Sequence, residues 1–162
     1  MEARARRAGC RAAAWTTPSS PRPQVSASVF ATVYVFASPV PIKWGRNTKA
    51  KRLHQIVLLL GAELGLQLEY FVGGVRYQRK AAPELHRGGV ELVDQVTPEL
   101  EPGGFGGWRL EPVLRSWRSQ AGNYEARSDT CISFAVDLVQ ASGAMSPRLR
   151  RHFAAAHLAA MA

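Results

Sequence analysis

Two candidate strands separated by a glycine-bearing turn constrain the fold of this chain more than any other feature. The first is His54–Leu60, whose last five residues are all apolar, and Leu66–Val72 follows it after the turn Gly61–Gly65. Short apolar runs bounded by turn residues are typical of buried strands. A second turn, Gly73-Gly74, precedes a third candidate strand, Val75–Gln78. This stretch is therefore predicted to form an antiparallel meander.

Further strands and helices are predicted on both sides of the meander. Val25–Ala37 and Val90–Val96 are rich in β-branched or aromatic residues and are expected to be strands. The glycine-rich segment Gly103–Gly107 is expected to interrupt regular structure. Apolar residues at helical spacing predict an α+β fold whose helices follow the sheet. The predicted helices are Glu111–Gln120, Thr130–Ala141 and Leu149–Ala162.

The charge of the chain is unevenly distributed. The formal net charge is +9, but residues 1–52 hold ten Lys or Arg and one acid, whereas residues 53–162 hold eleven of each. This argues against a basic nucleic-acid-binding face on a folded domain. We predict a disordered basic tail over 1–24, a folded domain over 25–145 and a C-terminal helix over 146–162. A cytoplasmic location is expected, with a mitochondrial one as the alternative if the tail is a transit peptide.

The sequence lacks the patterns typical of a metal site, a disulfide-rich scaffold or a membrane-spanning helix. It has two cysteines, too few for a stapled secreted scaffold. His152 and His157 are five residues apart, off the spacing that suits a metal pair, and both are expected at the surface with His86. No apolar run approaches the roughly 18 to 20 residues of a membrane span. We expect no metal and no organic cofactor.

Cys131 is the residue whose setting most directly indicates chemistry. It follows Ser128-Asp129-Thr130, three residue types that favour helix N-caps, and should lie in the first turn of a helix. Unpaired backbone N–H groups and the helix dipole there stabilise an anion such as a thiolate. His54 is the candidate base. The plainer alternatives are a buried structural cysteine and a hydrogen-bonding histidine at a strand start.

A third residue is needed to orient the imidazole, and Glu69 is the candidate. If the hairpin is centred on Glu63, His54 faces Val72, and Gln67 and Glu69 point to the other face of the sheet. A turn one residue longer puts Glu69 on the face of His54, because side chains alternate along a strand. The sequence leaves both registers open.

The order of these pieces resembles a known group of enzymes. Leu53-His54-Gln-Ile-Val-Leu-Leu-Leu-Gly61 and Leu68-Glu-Tyr-Phe71 precede Asn123-Tyr124 and the motif Thr130-Cys131-Ile-Ser-Phe134-Ala135. This arrangement over residues 28–143 is similar to the PPPDE family of desumoylating isopeptidase-like proteins. These are circularly permuted papain-like thiol hydrolases, with lecithin retinol acyltransferase-like proteins as cousins. The family carries Asn where this chain has Thr130, and often His where it has Ser133.

The resemblance implies a permuted papain-like fold, with an antiparallel sheet packed against the Cys-bearing helix. It implies a cysteine hydrolase that cleaves a peptide, isopeptide or thioester-like bond in a protein substrate, such as one conjugated to a ubiquitin-like modifier. Cys131 would be the nucleophile and His54 the general base and acid. The alternative is a non-catalytic relative or an interaction module whose basic segment Arg4–Arg52 contacts nucleic acid or an acidic partner.

Overall fold

The computed structural model describes residues 25–40, 52–71, 74–80, 89–98, 104–119 and 130–161. Its strands are β1 (Val29–Phe30), β2 (Thr32–Val40), β3 (Arg52–Leu60), β4 (Gly65–Phe71), β5 (Gly74–Arg79), β6 (Glu91–Val96) and β7 (Phe105–Gly106). A 3-10 helix, Gly107–Arg109, is followed by the α-helices α1 (Glu111–Ser119), α2 (Thr130–Ala141) and α3 (Pro147–Met161). The predicted tail, residues 1–24, lies outside the described residues. The α+β class is confirmed.

The described strands form two antiparallel sheets. The larger sheet has five strands in the order β5-β4-β3-β2-β6, and the smaller pairs β1 with β7. β3, β4 and β5 are neighbours in this order, so the predicted antiparallel meander is confirmed. β2 and β6 extend the sheet on the other side of β3. β3 is consequently the central strand, which explains why its sequence is apolar at successive positions.

Both faces of β3 are buried. Val57 and Leu59 belong to the main hydrophobic core, whereas Ile56 and Leu58 belong to a smaller cluster with Phe36 of β2. Successive side chains of a strand point to opposite faces, so an uninterrupted apolar run supplies both clusters. A polar side chain on this strand is therefore enclosed whichever face it occupies.

The β3–β4 hairpin closes tightly around one glycine. The last pair of the register is Leu60 with Gly65, and the backbone N–H of Gly61 donates to the carbonyl of Leu64 at 2.9 Å. A Cβ atom at position 65 would lie 1.8 Å from the carbonyl oxygen of Lys80. Only glycine fits this close approach of two backbones.

The helices supply the side chains that complete the main core. Leu114 and Trp117 of α1 are buried. The indole N–H of Trp117 donates to Asp137 Oδ2 at 2.9 Å and so joins α1 to α2. α2 packs on β3 and β4, and α3 packs on β3, β6 and α2. The core residues from α2 and α3 are Ile132, Phe134, Ala135, Leu138, Val139, Leu149, Phe153 and Ala156.

Two segments differ from the sequence-based expectation for the same reason. The strand predicted over Val25–Ala37 is divided at Ala31 into β1 and β2, and the segment Gly103–Gly107, expected to be irregular, contains β7. β7 pairs with β1, which gives Val29 opposite Gly106. This pairing joins residues far apart in sequence, so local composition does not signal it.

The C-terminal helix starts between the two positions that the sequence predicts for it, residue 146 in the domain division and Leu149 in the helical pattern. Its first residue is Pro147, a favourable first helical position for proline. Ser146 is its N-cap: the Oγ accepts the backbone N–H of Leu149 at 3.1 Å and donates to Asp94 Oδ2 at 2.6 Å. This cap ties α3 to the edge strand β6.

Across the described ranges, every helix falls short of the length and apolar character that a membrane crossing requires.

Candidate active site

The β3–β4 pairing brings His54 and Glu69 into contact. His54 Nε2 lies 2.9 Å from Glu69 Oε1. The β3–β4 pairing ends at Val57 with Leu68; from that pair, the alternation of side chains along each strand puts His54 and Phe71 on one face, and their ring centroids are 4.7 Å apart. Glu69 is two residues from Phe71 and therefore lies on the same face of the sheet as His54.

The hairpin register differs from both alternatives that the sequence left open. The turn is centred between Ala62 and Glu63. It is therefore one residue shorter than a turn centred on Glu63, whereas the second alternative was a turn one residue longer. A shift of one residue in either direction turns Glu69 to the face of His54. The structure therefore brings the two predicted residues together through a shorter turn than the one considered.

Gln67 is a second hydrogen-bond partner of the Glu69 carboxylate. Its side-chain Nε2 donates to Glu69 Oε2 at 2.9 Å, while Oε1 of the carboxylate faces His54. Glu69 is fully buried and Gln67 is 1% exposed. A buried carboxylate is costly unless hydrogen bonds and a cation compensate it, and these two contacts supply both.

Gln67 itself is left incompletely satisfied. Its Oε1 is buried and has no hydrogen-bond partner within the described part of the chain. An unmet buried acceptor costs about 1–3 kcal/mol, so this glutamine is a poor choice for stability alone. Its contact with Glu69 is the gain that the structure shows in return.

Cys131 approaches His54 from α2. It is the second residue of that helix and is partly exposed. Its side chain and the His54 imidazole form a hydrogen bond. Because Nε2 of His54 faces Glu69, Nδ1 is the ring nitrogen left for the sulfur. The predicted capping residues Ser128 and Asp129 lie outside the described residues.

The charge on His54 is strongly favoured by its neighbours. Burial by itself lowers the pKa of His54, but the hydrogen bonds to Cys131 and Glu69 and the negative charge of Glu69 outweigh it and raise the pKa to about 9. An imidazole that keeps its proton at neutral pH can stabilise a thiolate beside it. The arrangement therefore places a cysteine beside a histidine whose charged form is favoured by a buried carboxylate.

An aromatic and a cationic residue border this group. The Phe71 ring contacts the His54 ring, and the guanidinium carbon of Arg76 lies 4.6 Å from the centroid of the Phe71 ring. Arg76 stands on β5 opposite Glu69 and is exposed. The buried triad thus has a positively charged residue at its border.

The remaining histidines take no part in this cluster. His152 was expected at the surface, but it is partly buried, because α3 packs on β3 and its Nε2 lies 2.8 Å from Gln55 Oε1. His86 lies outside the described residues. In the described ranges no group of three or more His, Cys, Asp or Glu could hold a metal ion.

Gln67 was assigned to the second strand of the hairpin from the sequence, but it was not predicted to belong to the candidate site. The signal was present: the strand Leu66–Phe71 alternates apolar and polar residues, which predicts polar side chains on the surface, yet the central strand beside it is apolar on both faces. Buried polar residues at alternate positions of an inner strand indicate a hydrogen-bonded network.

Comparison with known proteins identifies no relative: no family model, no curated protein and no solved structure matches this chain. The basic segment Arg4–Arg52, on which the interaction-module alternative rests, lies largely outside the described residues. The geometry of the triad is consequently the main basis for inferring a function.

Proposed function

We propose that this protein is a cysteine hydrolase that cleaves a peptide, isopeptide or thioester-like acyl bond. One observation carries the proposal: an unbroken series of side-chain hydrogen bonds runs from Glu69 through His54 to Cys131. A nucleophile, a base that holds its proton and a group that orients the base are the three parts that such chemistry requires.

In the proposed reaction, the Cys131 thiolate attacks the carbonyl carbon of the substrate. When the tetrahedral intermediate collapses, the bond to the leaving group breaks and the His54 imidazolium gives its proton to that group. The acyl group then remains on the sulfur as a thioester. Neutral His54 next takes a proton from water, the resulting hydroxide attacks the thioester, and the thiolate departs and re-forms the ion pair.

Glu69 has an orienting and electrostatic role in this scheme. Its carboxylate accepts the Nε2 proton of His54, which fixes the ring so that Nδ1 faces the sulfur. Its negative charge, fully buried, stabilises the imidazolium that is present when the thiolate attacks and that forms again when His54 takes a proton from water. Gln67 holds the other carboxylate oxygen and keeps Glu69 in place.

The oxyanion of the intermediate needs hydrogen-bond donors near the sulfur. Cys131 lies in the first turn of α2, where backbone N–H groups have no intrahelical acceptor. We assign the backbone N–H of Cys131 to this role, with the positive end of the helix dipole as support.

The proposal extends to the fold and the substrate class. A His-bearing central strand followed in sequence by a Cys-bearing helix is the reverse of the papain order, and we infer a circularly permuted papain-like arrangement. The resemblance to PPPDE proteins supports a protein substrate, conjugated to a ubiquitin-like modifier, and a cytoplasmic location.

Alkylation of Cys131 tests the proposal without knowledge of the substrate. With iodoacetamide at pH 6, followed by peptide mass spectrometry, Cys131 should react rapidly, and Cys10 in the same sample provides a reference thiol. His54→Ala should slow Cys131 on the order of 10²-fold, because the imidazolium that stabilises the thiolate is lost. His152→Ala is the matched control and should leave the rate near that of the wild type.

Two outcomes would refute the proposal. One is a Cys131 rate no faster than that of Cys10. The other is rapid labelling that is indifferent to His54→Ala, which would separate the sulfur from the histidine.

A further inference from the structure

Arg76 places an exposed positive charge at the border of the candidate active site. Its guanidinium carbon lies 4.6 Å from the centroid of the Phe71 ring, which is 4.7 Å from the centroid of the His54 ring. The guanidinium is therefore separated from the imidazole by no more than the sum of these two distances. That sum is below the Debye length of about 10 Å at 0.1 M salt, so the charge acts on groups that enter the site.

The positive charge of Arg76 is not paired with an acidic side chain among the described residues. Arg76 forms no salt bridge with any residue that the structure describes. Its cross-strand neighbour, the Glu69 carboxylate, is already engaged by His54 and Gln67. Within the described part of the chain, the guanidinium contacts the Phe71 ring.

The geometry of this contact leaves the guanidinium available to a ligand. Stacking on an aromatic ring uses the face of the guanidinium, whereas its N–H donors point outward in the plane. A planar guanidinium held by a ring is pre-organised for a carboxylate, which it binds through two parallel hydrogen bonds. Phe71 thus lies between the imidazole and the Arg76 guanidinium, with ring contact to one and cation–π contact to the other.

We propose that Arg76 is an anion-recognising residue of this site, selecting substrates that carry a carboxylate beside the scissile acyl group. This inference rests on the proposed function, because it assumes that Cys131 reacts with bound substrates. It goes further by naming the chemical class of the group next to the bond that is cleaved: an acidic side chain or a terminal carboxylate.

Two alkylating reagents of similar size test the inference. Iodoacetate carries a carboxylate and iodoacetamide does not, so the ratio of their rates at Cys131 measures the preference for an anion near the sulfur. Arg76→Gln should lower the iodoacetate-to-iodoacetamide ratio on the order of three- to tenfold at low ionic strength, and high salt should reduce the difference.

Arg79→Gln is the matched control. Arg79 is exposed on the same strand, but its partner in the register is Leu66, a main-core residue, so it lies on the other face of the sheet from Arg76. It removes the same charge and should leave the ratio near that of the wild type. Arg76→Lys should retain part of the preference, because it keeps the charge but loses the planar fork.

The outcomes separate this inference from the proposed function. Slow iodoacetamide labelling of wild-type Cys131 would defeat the proposed function and this inference together. Rapid labelling with a ratio that Arg76→Gln does not change would overturn the Arg76 assignment and leave the hydrolase intact. An equal fall with Arg79→Gln would also overturn it, since the effect would then come from the overall charge of the protein.

Discussion

One histidine belongs to β3 and a second contacts the next residue of that strand, and the protein shifts their pKa values in opposite directions. His54 belongs to the strand and contacts Glu69, whereas His152 of α3 contacts Gln55, the next residue of β3. The pKa of His54 is raised to about 9, and burial lowers the pKa of His152. His54 is the more buried of the two, so burial does not explain the difference.

The partners explain it: hydrogen bonds with Cys131 and Glu69, together with the negative charge of Glu69, outweigh burial and raise the pKa of His54. Glu69 is an anion and stabilises the imidazolium, while Gln55 is neutral and offers only a carbonyl oxygen. Because successive side chains leave β3 on opposite faces, one strand supports a charged network and a neutral contact without mixing them. The comparison teaches that the hydrogen-bonding and charged partners of a buried histidine, and not its burial, decide the direction of its pKa shift.

The largest expected effect comes from removing that carboxylate charge. Glu69→Gln should lower the pKa of His54 by more than about one unit, because burial is then opposed by the Cys131 hydrogen bond without the negative charge of Glu69. The iodoacetamide rate at Cys131 should fall at pH 6. NMR titration of the His54 ring measures the pKa directly, and Glu63→Gln in the exposed turn of the same hairpin is the control. A pKa that stayed near 9 would show that Glu69 does not govern His54.

Both histidines should contribute to the pH dependence of the free energy of unfolding, and their contributions should have opposite signs. The folded pKa of His54 lies above its unfolded value, so its contribution, on the order of a few kcal/mol, is complete below about pH 6.5 and is lost as pH rises toward 9. The folded pKa of His152 lies below its unfolded value, so its contribution is present above about pH 6.5 and is lost as pH falls.

Urea unfolding at a series of pH values measures these slopes. His54→Gln should flatten the alkaline fall, and His152→Gln should flatten the acid fall. If both variants changed the same side of the profile, the contrast between the two sites would be wrong.

A smaller effect should distinguish the two buried glutamines. Gln67→Leu removes the donor to Glu69 Oε2 and should slow Cys131 alkylation at pH 6 by about three- to tenfold, because the carboxylate is held less firmly. Gln55→Leu is matched in side chain and burial but faces His152, and should leave the alkylation rate unchanged. Equal rates for Gln67→Leu and the wild type would remove Gln67 from the network.

The sequence predicted the parts of the fold that depend on local pattern. The β3–β4–β5 meander and α2 followed from apolar periodicity and glycine turns, and Gly143, in a left-handed conformation with φ 69°, follows the end of α2. The chemistry of Cys131 and His54, and their positions near the start of a helix and of a strand, identify them in the sequence as candidate site residues. The structure places these two side chains in hydrogen-bonding contact.

The rest required information that a local pattern does not contain. The orientation of Glu69 depends on the closing pair of the hairpin, and the turn residues between Gly61 and Gly65 allow more than one. The contact between Gln55 and His152 joins residues 97 positions apart and depends on how α3 packs against the sheet. β7 likewise forms only because β1 is there to pair with it.

The carboxylate of the site owes its position to a residue that has no side chain. Gly65 lets the backbone of Lys80 approach so closely that any larger residue would force β4 and β5 apart or move the closing pair of the hairpin. Moving that pair by one residue would turn Glu69 away from His54 and deliver Leu68 or Tyr70 in its place. The contact between the carboxylate and the imidazole therefore depends on the absence of a side chain at the first residue of β4.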